Sequence, residues 1–269
     1  MTRPVERRVR LSDGAETMLQ AWGERGPLLV VVHGLGASRR GWARIGEHFA
    51  DRMRVVAYDQ RGHGDHAARG PMTFERTVDD LEQVVASLGE HVHALVGHSW
   101  GGAVAVAGGR RLDVDRVAVI DPMLHVAPGV WGRGTGAEYR RMFATSLEER
   151  EAAIRASNAA LPDVEVEAKI HAARRLTLAP IEALDAENGI EQGRWDLRAM
   201  IRDYPKPLLL ALADRKRSVV LDDQRELFHA HGGTNVRIEV FQGASHSLQR
   251  DAFDRFMPVL ESFLNDGAA

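Results

Sequence analysis

Val92-His93-Ala94-Leu95-Val96-Gly97-His98-Ser99-Trp100-Gly101-Gly102-Ala103-Val104-Ala105-Val106-Ala107 is the stretch on which the fold turns. Val92 to Val96 is short, apolar and rich in valine, which reads as a strand. Ser99 to Ala107 reads as a helix of small residues. Gly97-His98-Ser99-Trp100-Gly101 between them fits G-x-S-x-G, and Gly102 follows. With a strand before it and a helix after it, this is the setting of a nucleophile elbow. Such a turn is so tight that the serine is held at a strained backbone angle and its hydroxyl is lifted above the carboxyl edge of the sheet. Glycines flank it because a side chain there would collide with the neighbouring strands or helix. The start of the helix aims backbone N–H groups at the same spot.

Outward from the elbow the same alternation continues. Leu28 to Val32 is an unbroken apolar run, as expected of a strand covered on both faces. Arg54 to Tyr58, Val114 to Ile120, Leu208 to Leu212 and Val236 to Phe241 read likewise as strands. Helical stretches lie between them: Gly41 to Asp51, Phe74 to Leu88 with apolar residues at helical spacing, Ser218 to His231 and a closing helix from Ser247 to Asn265. Ahead of them, positions 5–22 read as a hairpin around Ser12-Asp13-Gly14. Strands alternating with helices predict an α/β fold with a mainly parallel central sheet flanked by helices. The pattern stops at Asp121-Pro122 and resumes at Pro207. Between them Tyr139, Met142, Phe143, Leu147 and Ile154 share one helical face, and Trp195, Met200, Ile201 and Tyr204 suggest a further short helix. Residues 123–203 are therefore expected to be a helical insertion into a core made of 1–122 and 204–269; so many periodic apolar positions do not suit a loop.

Composition narrows the functions open to such a chain. Lys and Arg number 35 against 38 Asp and Glu, a formal net charge of −3, so the basic excess of a nucleic-acid binder is missing. With no cysteine, a disulfide framework, a thiol nucleophile, a zinc-thiolate site and an iron–sulfur cluster are all excluded. No apolar run approaches the roughly 18 residues of a membrane-spanning helix. The start, MTRPVERRVR, is charged and lacks the apolar stretch of a secretory signal, so a cytoplasmic location is expected. His63 and His66 lie close in sequence, but no third ligand follows at suitable spacing, and no metal site is expected.

From about residue 28 to 265 the chain resembles the α/β-hydrolase superfamily, in its serine-nucleophile branch with a helical cap. Besides the elbow, three marks carry the resemblance. His33-Gly34-Leu35-Gly36 follows the strand ending at Val32. In the family this loop lends a backbone N–H to the oxyanion hole, here that of Leu35, and the residue after the nucleophile, here Trp100, lends the other. His33 is then expected to brace the loop. Asp59-Gln60-Arg61-Gly62-His63-Gly64 is similar to the family's D-x-R-G-x-G turn, in which Asp59 and Arg61 are expected to tie loops together. Gly243-Ala244-Ser245-His246 resembles the G-x-x-H that carries the catalytic histidine, which implies His246. The family usually keeps its acid after the next-to-last strand, which implies Asp214. The stretch Arg215 to Ser218 lengthens the loop that follows it, however, and Asp121 is a second choice, since some members take their acid from that earlier strand end.

The resemblance implies a chemistry as well. His246 would take the proton of Ser99 Oγ as general base and return it to the leaving group, with Asp214 orienting the imidazole. Two backbone N–H groups would stabilise the oxyanion, an acyl-enzyme would form, and water would release the acid. No metal or organic cofactor is needed. The expected partner is a small-molecule substrate, with no nucleic acid, no membrane and the oligomeric state unspecified. An apolar roof, with Trp131, Tyr139 and Phe143 among its candidates, favours a small or medium hydrophobic carboxylic ester. Hydrolysis of an amide, a lactone or a carbon–carbon bond, and perhydrolase activity, use the same constellation. A non-catalytic small-ligand receptor is the reading from a different class. Serine at the elbow argues against haloalkane dehalogenases and epoxide hydrolases, which place Asp there.

Overall fold

The computed structural model describes residues 4–66, 70–126, 136–231 and 233–266. Its single sheet has eight strands: β1 (Val5–Arg10), β2 (Glu16–Trp22), β3 (Leu28–Val32), β4 (Arg54–Tyr58), β5 (Val92–His98), β6 (Val114–Ile120), β7 (Leu208–Ala213) and β8 (Val236–Phe241). They lie in the order β1-β2-β4-β3-β5-β6-β7-β8. Only the pairings of β2, with β1 and with β4, are antiparallel; all the others are parallel. Crossover connections between parallel strands put helices on both faces, which is why β3 and β7 are apolar at every position. Successive residues serve opposite cores. Leu28, Val30, Val32, Leu95, Val117, Leu208 and Leu210 share one cluster. Leu29, Val31, Ala94, Val96, Ala118, Leu209 and Ala211 belong to the other.

Helices α1 (Ala43–Phe49), α2 (Phe74–Leu88) and α3 (Trp100–Arg111) belong to the first half of the chain. α2 begins at a Thr73 cap that accepts the Arg76 N–H and ends at Gly89 in the left-handed region, so its start and stop are written locally. Its buried Phe74, Val78, Leu81 and Val84 join the first core with α3, whereas Ile45 and Phe49 of α1 join the second. Among the described residues, four α-helices run between β6 and β7: α4 (Gly136–Phe143), α5 (Leu147–Ser157), α6 (Asp163–Arg175) and α7 (Leu178–Asn188). The chain closes with α8 (Asp222–His231), α9 (Leu248–Asp251) and α10 (Phe253–Asn265). α8 starts four residues later than its apolar pattern suggests, because Ser218 and Val219 are drawn into hydrogen bonds at the sheet edge. The expected closing helix is divided at Ala252, whose φ is −121°. No helix among the described residues is long and apolar enough to cross a membrane.

Buried charge ties the loops above the sheet together. The carboxylate of Asp59 accepts the backbone N–H groups of Arg39 and Asp65, each at 2.8 Å, and pairs with the Arg39 guanidinium. Arg61 grips Asp80 through two nitrogens, at 2.7 and 2.8 Å. Gly64, with φ +54°, has no room for a side chain, since a Cβ there would lie 2.2 Å from the Asp59 carboxyl carbon. His33 donates through Nδ1 to the Gly34 carbonyl and accepts the Gln60 N–H on Nε2. Burial pushes its pKa down to about 3, so it stays neutral and braces the loop.

Candidate active site

Ser99 sits between β5 and α3 with φ 55° and ψ −119°, outside the regions open to most L-residues. A conformation of this kind costs about 1–3 kcal/mol and persists only where the surroundings hold it. Here the Ser99 N–H is bound to the Ile120 carbonyl at 3.0 Å. The Ser99 carbonyl receives the N–H groups of Gly102, Ala103 and Met123. The flanking glycines are sterically required. A Cβ on Gly97 would lie 2.2 Å from the Gly101 carbonyl oxygen, and one on Gly101 would lie 2.3 Å from those of Val32 and His33. Gly34 also packs close, for its Cβ would fall 3.0 Å from that of Ser99. The Leu35 loop therefore lies beside the serine. Among the described residues neither the Leu35 N–H nor the Trp100 N–H donates to another protein group.

His246 follows β8 in a loop that leans back over the end of β7. The Ala244 carbonyl accepts the Asp214 N–H at 3.1 Å, and the His246 carbonyl accepts from Nε2 of His98 at 2.9 Å. The His98 and His246 rings lie 4.7 Å apart. Burial, then the neighbouring His246, holds His98 well below the usual histidine range, so it is neutral and carries its proton on Nε2. The lean brings Nδ1 of His246 to 2.6 Å from Oδ2 of Asp121.

The expectation that Asp214 orients the histidine is therefore corrected. The Asp214 side chain accepts the N–H groups of Gly243 and Lys216, at 2.8 and 3.0 Å, in a surface turn. Those two bonds hold its carboxyl below the usual range. Asp121 instead is fully buried at the end of β6, the strand between β5 and β7. Its Oδ1 accepts the Ala213 N–H at 3.1 Å and the Ser218 hydroxyl at 2.5 Å. Its Oδ2 accepts the Val219 N–H at 2.9 Å besides His246. The lengthened Arg215–Ser218 loop thus has a purpose: it folds Ser218 and Val219 back onto Asp121. Asp121 takes φ 43°, pinned by its own N–H on the Ala211 carbonyl at 2.8 Å.

Ser99 and His246 open on one cavity of about 870 Å³. Its wall includes Leu35, Met123, Met142, Ile154, Leu176, Val219 and Leu221, together with the charged Glu138, Lys169, Arg215, Lys216 and Arg250. Tyr139 is on this wall, its hydroxyl seated over Gly36, where a Cβ would lie 2.3 Å away. Phe143 is not on the wall. It packs under the Arg150 guanidinium, 4.4 Å from the ring centre, while Met142, one helical step back, faces the cavity. Trp131 lies outside the described residues. The Trp100 ring turns away from the cavity and stacks on Trp195 at 5.0 Å, with Phe74 edge-on to both. Trp100 and Trp195 are therefore core residues. His98 stands at an unspecified position of the elbow motif, and Lys169 and Arg250 belong to no local motif, so sequence reasoning singled out none of the three as a site residue. Among the described residues no three His, Asp or Glu side chains gather as a metal site.

Comparison with known proteins agrees with this architecture. The sequence profile of the alpha/beta hydrolase family matches residues 29–259. Human epoxide hydrolase 4 is 35% identical over 102 residues, which are 36% of this chain and 28% of that protein. The match thus spans little more than a quarter of that relative. The solved structure of E-2-(acetamidomethylene)succinate hydrolase superposes with a TM-score of 0.78 at 20% identity, covering 98% of this chain and all of that one. An esterase from Exiguobacterium antarcticum superposes with a TM-score of 0.73 at 19% identity, covering 96% and 98%.

Proposed function

Because the chain belongs to the alpha/beta hydrolase family, we propose that it is a serine hydrolase that cleaves a small or medium hydrophobic carboxylic ester through an acyl-enzyme. The observation that carries this reading is the 2.6 Å contact of His246 Nδ1 with the buried Asp121 carboxylate, while Ser99 and His246 share the wall of one cavity. A hydroxyl is a poor nucleophile until a base takes its proton. Nδ1 donates to Asp121, so Nε2 of His246 is the free base, and Asp121 stabilises the imidazolium that forms. Among the described residues the N–H groups of Leu35 and Trp100 have no protein acceptor, so they are available to the developing oxyanion. One such donor is worth about 3–4 kcal/mol in a protease comparison. Proton return from His246 frees the alcohol, and water activated by the same base releases the acid. Residues 123–203 act in this reading as a cap over the core formed by 1–122 and 204–269, with α4, α5 and α6 supplying apolar wall. The serine at the elbow favours acyl transfer over epoxide opening, which in related folds uses an Asp there.

Burst release from a p-nitrophenyl ester and covalent labelling by a fluorophosphonate test the proposal. Both are expected for the natural chain, and Ser99→Ala is expected to lose labelling and about 10⁶-fold in turnover. Wild-type turnover in that variant, or no labelling of the natural chain, overturns the reading.

A further inference from the structure

The described wall of the cavity carries more positive than negative charge. Arg250, on α9, is four residues beyond His246 and lines the same wall. Its side chain is only 10% exposed. Opposite it stands Glu165 of α6, 4% exposed, with Nε and Oε2 3.1 Å apart. The two atoms are misaligned, so neither has a hydrogen-bond partner among the described residues. One turn further along α6, Lys169 reaches the wall and makes no hydrogen bond or ion pair among the described residues. Burial, followed by repulsion from Arg250, brings Lys169 down to about 8, so it is still largely charged at neutral pH. Arg44 adds a third cation near Glu165, though it also faces Asp254 at 3.6 Å. Asp251 draws on Lys169, but its own Oδ2 accepts the Ser245 N–H. Gly41 leaves space for the guanidinium, because a Cβ there would lie 2.6 Å from Nη2 of Arg250.

Buried cations that exceed their carboxylate partners are costly unless an anion completes them. On the described wall the one carboxylate is Glu138. The exposed Arg215 and Lys216 add positive charge at the cavity and attract anions toward it. We propose that the substrate carries a carboxylate of its own, held by Arg250 and Lys169, while its ester carbonyl lies at Ser99. The apolar wall then receives the carbon chain between the two groups. This deepens the serine-hydrolase reading and rests on it.

The test compares mono-4-nitrophenyl glutarate with 4-nitrophenyl 5-oxohexanoate, in which a methyl ketone replaces the carboxylate at the same length. The expected kcat/KM for the acid is at least about tenfold the higher, the ratio given by one charge-assisted hydrogen bond. Lys169→Met, and separately the neutral pair Arg250→Gln with Glu165→Gln, are each expected to reduce that ratio toward one, chiefly through KM. The second variant leaves no unpaired carboxylate, and Lys169→Met covers the case in which it does not fold. Glutarate binding to the Ser99→Ala protein, read by calorimetry, is expected to weaken in the same backgrounds. A ratio near one in the natural chain, or a ratio unmoved by both variants, overturns the proposal even if the fluorophosphonate labels Ser99. Glutarate binding that depends on Arg250 or Lys169, in a protein that is never labelled, supports the anion site and overturns the hydrolase reading instead.

Discussion

Replacing Asp121 by Asn tests the geometry most sharply, because the two residues have one shape and different hydrogen-bonding faces. Asp121 is fully buried and accepts four donors, two on each oxygen. The amide of Asn offers one acceptor oxygen and one NH₂ group. If the NH₂ replaces Oδ1, the Ala213 N–H faces another donor; if it replaces Oδ2, the Val219 N–H does. Neither backbone group can reverse, so either rotamer leaves a buried donor unsatisfied, at about 1–3 kcal/mol of stability. Ser218 can turn its hydroxyl to accept, and His246 can change tautomer. In the second rotamer His246 accepts on Nδ1 and carries its proton on Nε2, where it can no longer take one from Ser99. In the first it keeps the useful tautomer and loses the charge that stabilises imidazolium. The corresponding change in a serine protease lowers turnover about 10⁴-fold. Asp121→Asn is expected to show a loss of that order in steady-state p-nitrophenyl ester hydrolysis and in the rate of fluorophosphonate labelling. Asp214→Asn, whose side chain among the described residues is bound only to the Gly243 and Lys216 N–H groups of a surface turn, is expected to change both only marginally. The opposite ranking would refute the reasoning.

Gly101→Ala is expected to lower the thermal midpoint and slow labelling of Ser99, since its Cβ would meet two carbonyl oxygens at 2.3 Å; overpacking of this kind costs about 1–3 kcal/mol or more. Arg61→Met should cost about 3–5 kcal/mol in urea unfolding, because it takes two hydrogen bonds from the buried Asp80, which is 2% exposed, and leaves it Arg76 only at 3.8 Å and His66 at 3.9 Å. Arg8→Met, in an exposed pair with Glu16, should cost less than about 1 kcal/mol. His33 and His63 are depressed by burial to about 3 and about 4, so the unfolded chain binds more protons than the folded one below about pH 6.5. Stability is therefore present above that pH and lost as pH falls toward the folded values, by about 2 kcal/mol for each histidine between pH 6.5 and 5. Urea midpoints of His33→Gln followed over this range should be less pH-dependent than those of the natural chain; an equal dependence would contradict the burial argument.

Much of the fold was legible in the chain because its signals are local. The runs Leu28–Val32 and Leu208–Ala213 are apolar at every position, which only a strand covered on both faces tolerates. The elbow was legible too, because the strain at Ser99 needs glycines within two positions and a strand and helix directly beside it. His246 was marked by its place after the last strand. The partner of that histidine was not marked. Asp121 and Asp214 each end a strand, and the choice between them depends on how far the loop after β8 leans across β7, a quantity set by the His98 and Asp214 hydrogen bonds to that loop. Local sequence also could not say which helical residues face the cavity. Phe143 and Met142 differ by one step of 100°, and packing under Arg150 decides which of them faces outward. Likewise Trp100 adjoins the serine in the chain, yet Trp195 and Phe74 draw its ring into the core. Strand, helix and turn propensities act over a few residues and can be read in order. The meeting of Asp121 with His246, 125 positions apart, and of Lys169 with Arg250 exists only once the sheet has closed and the helices have packed above it.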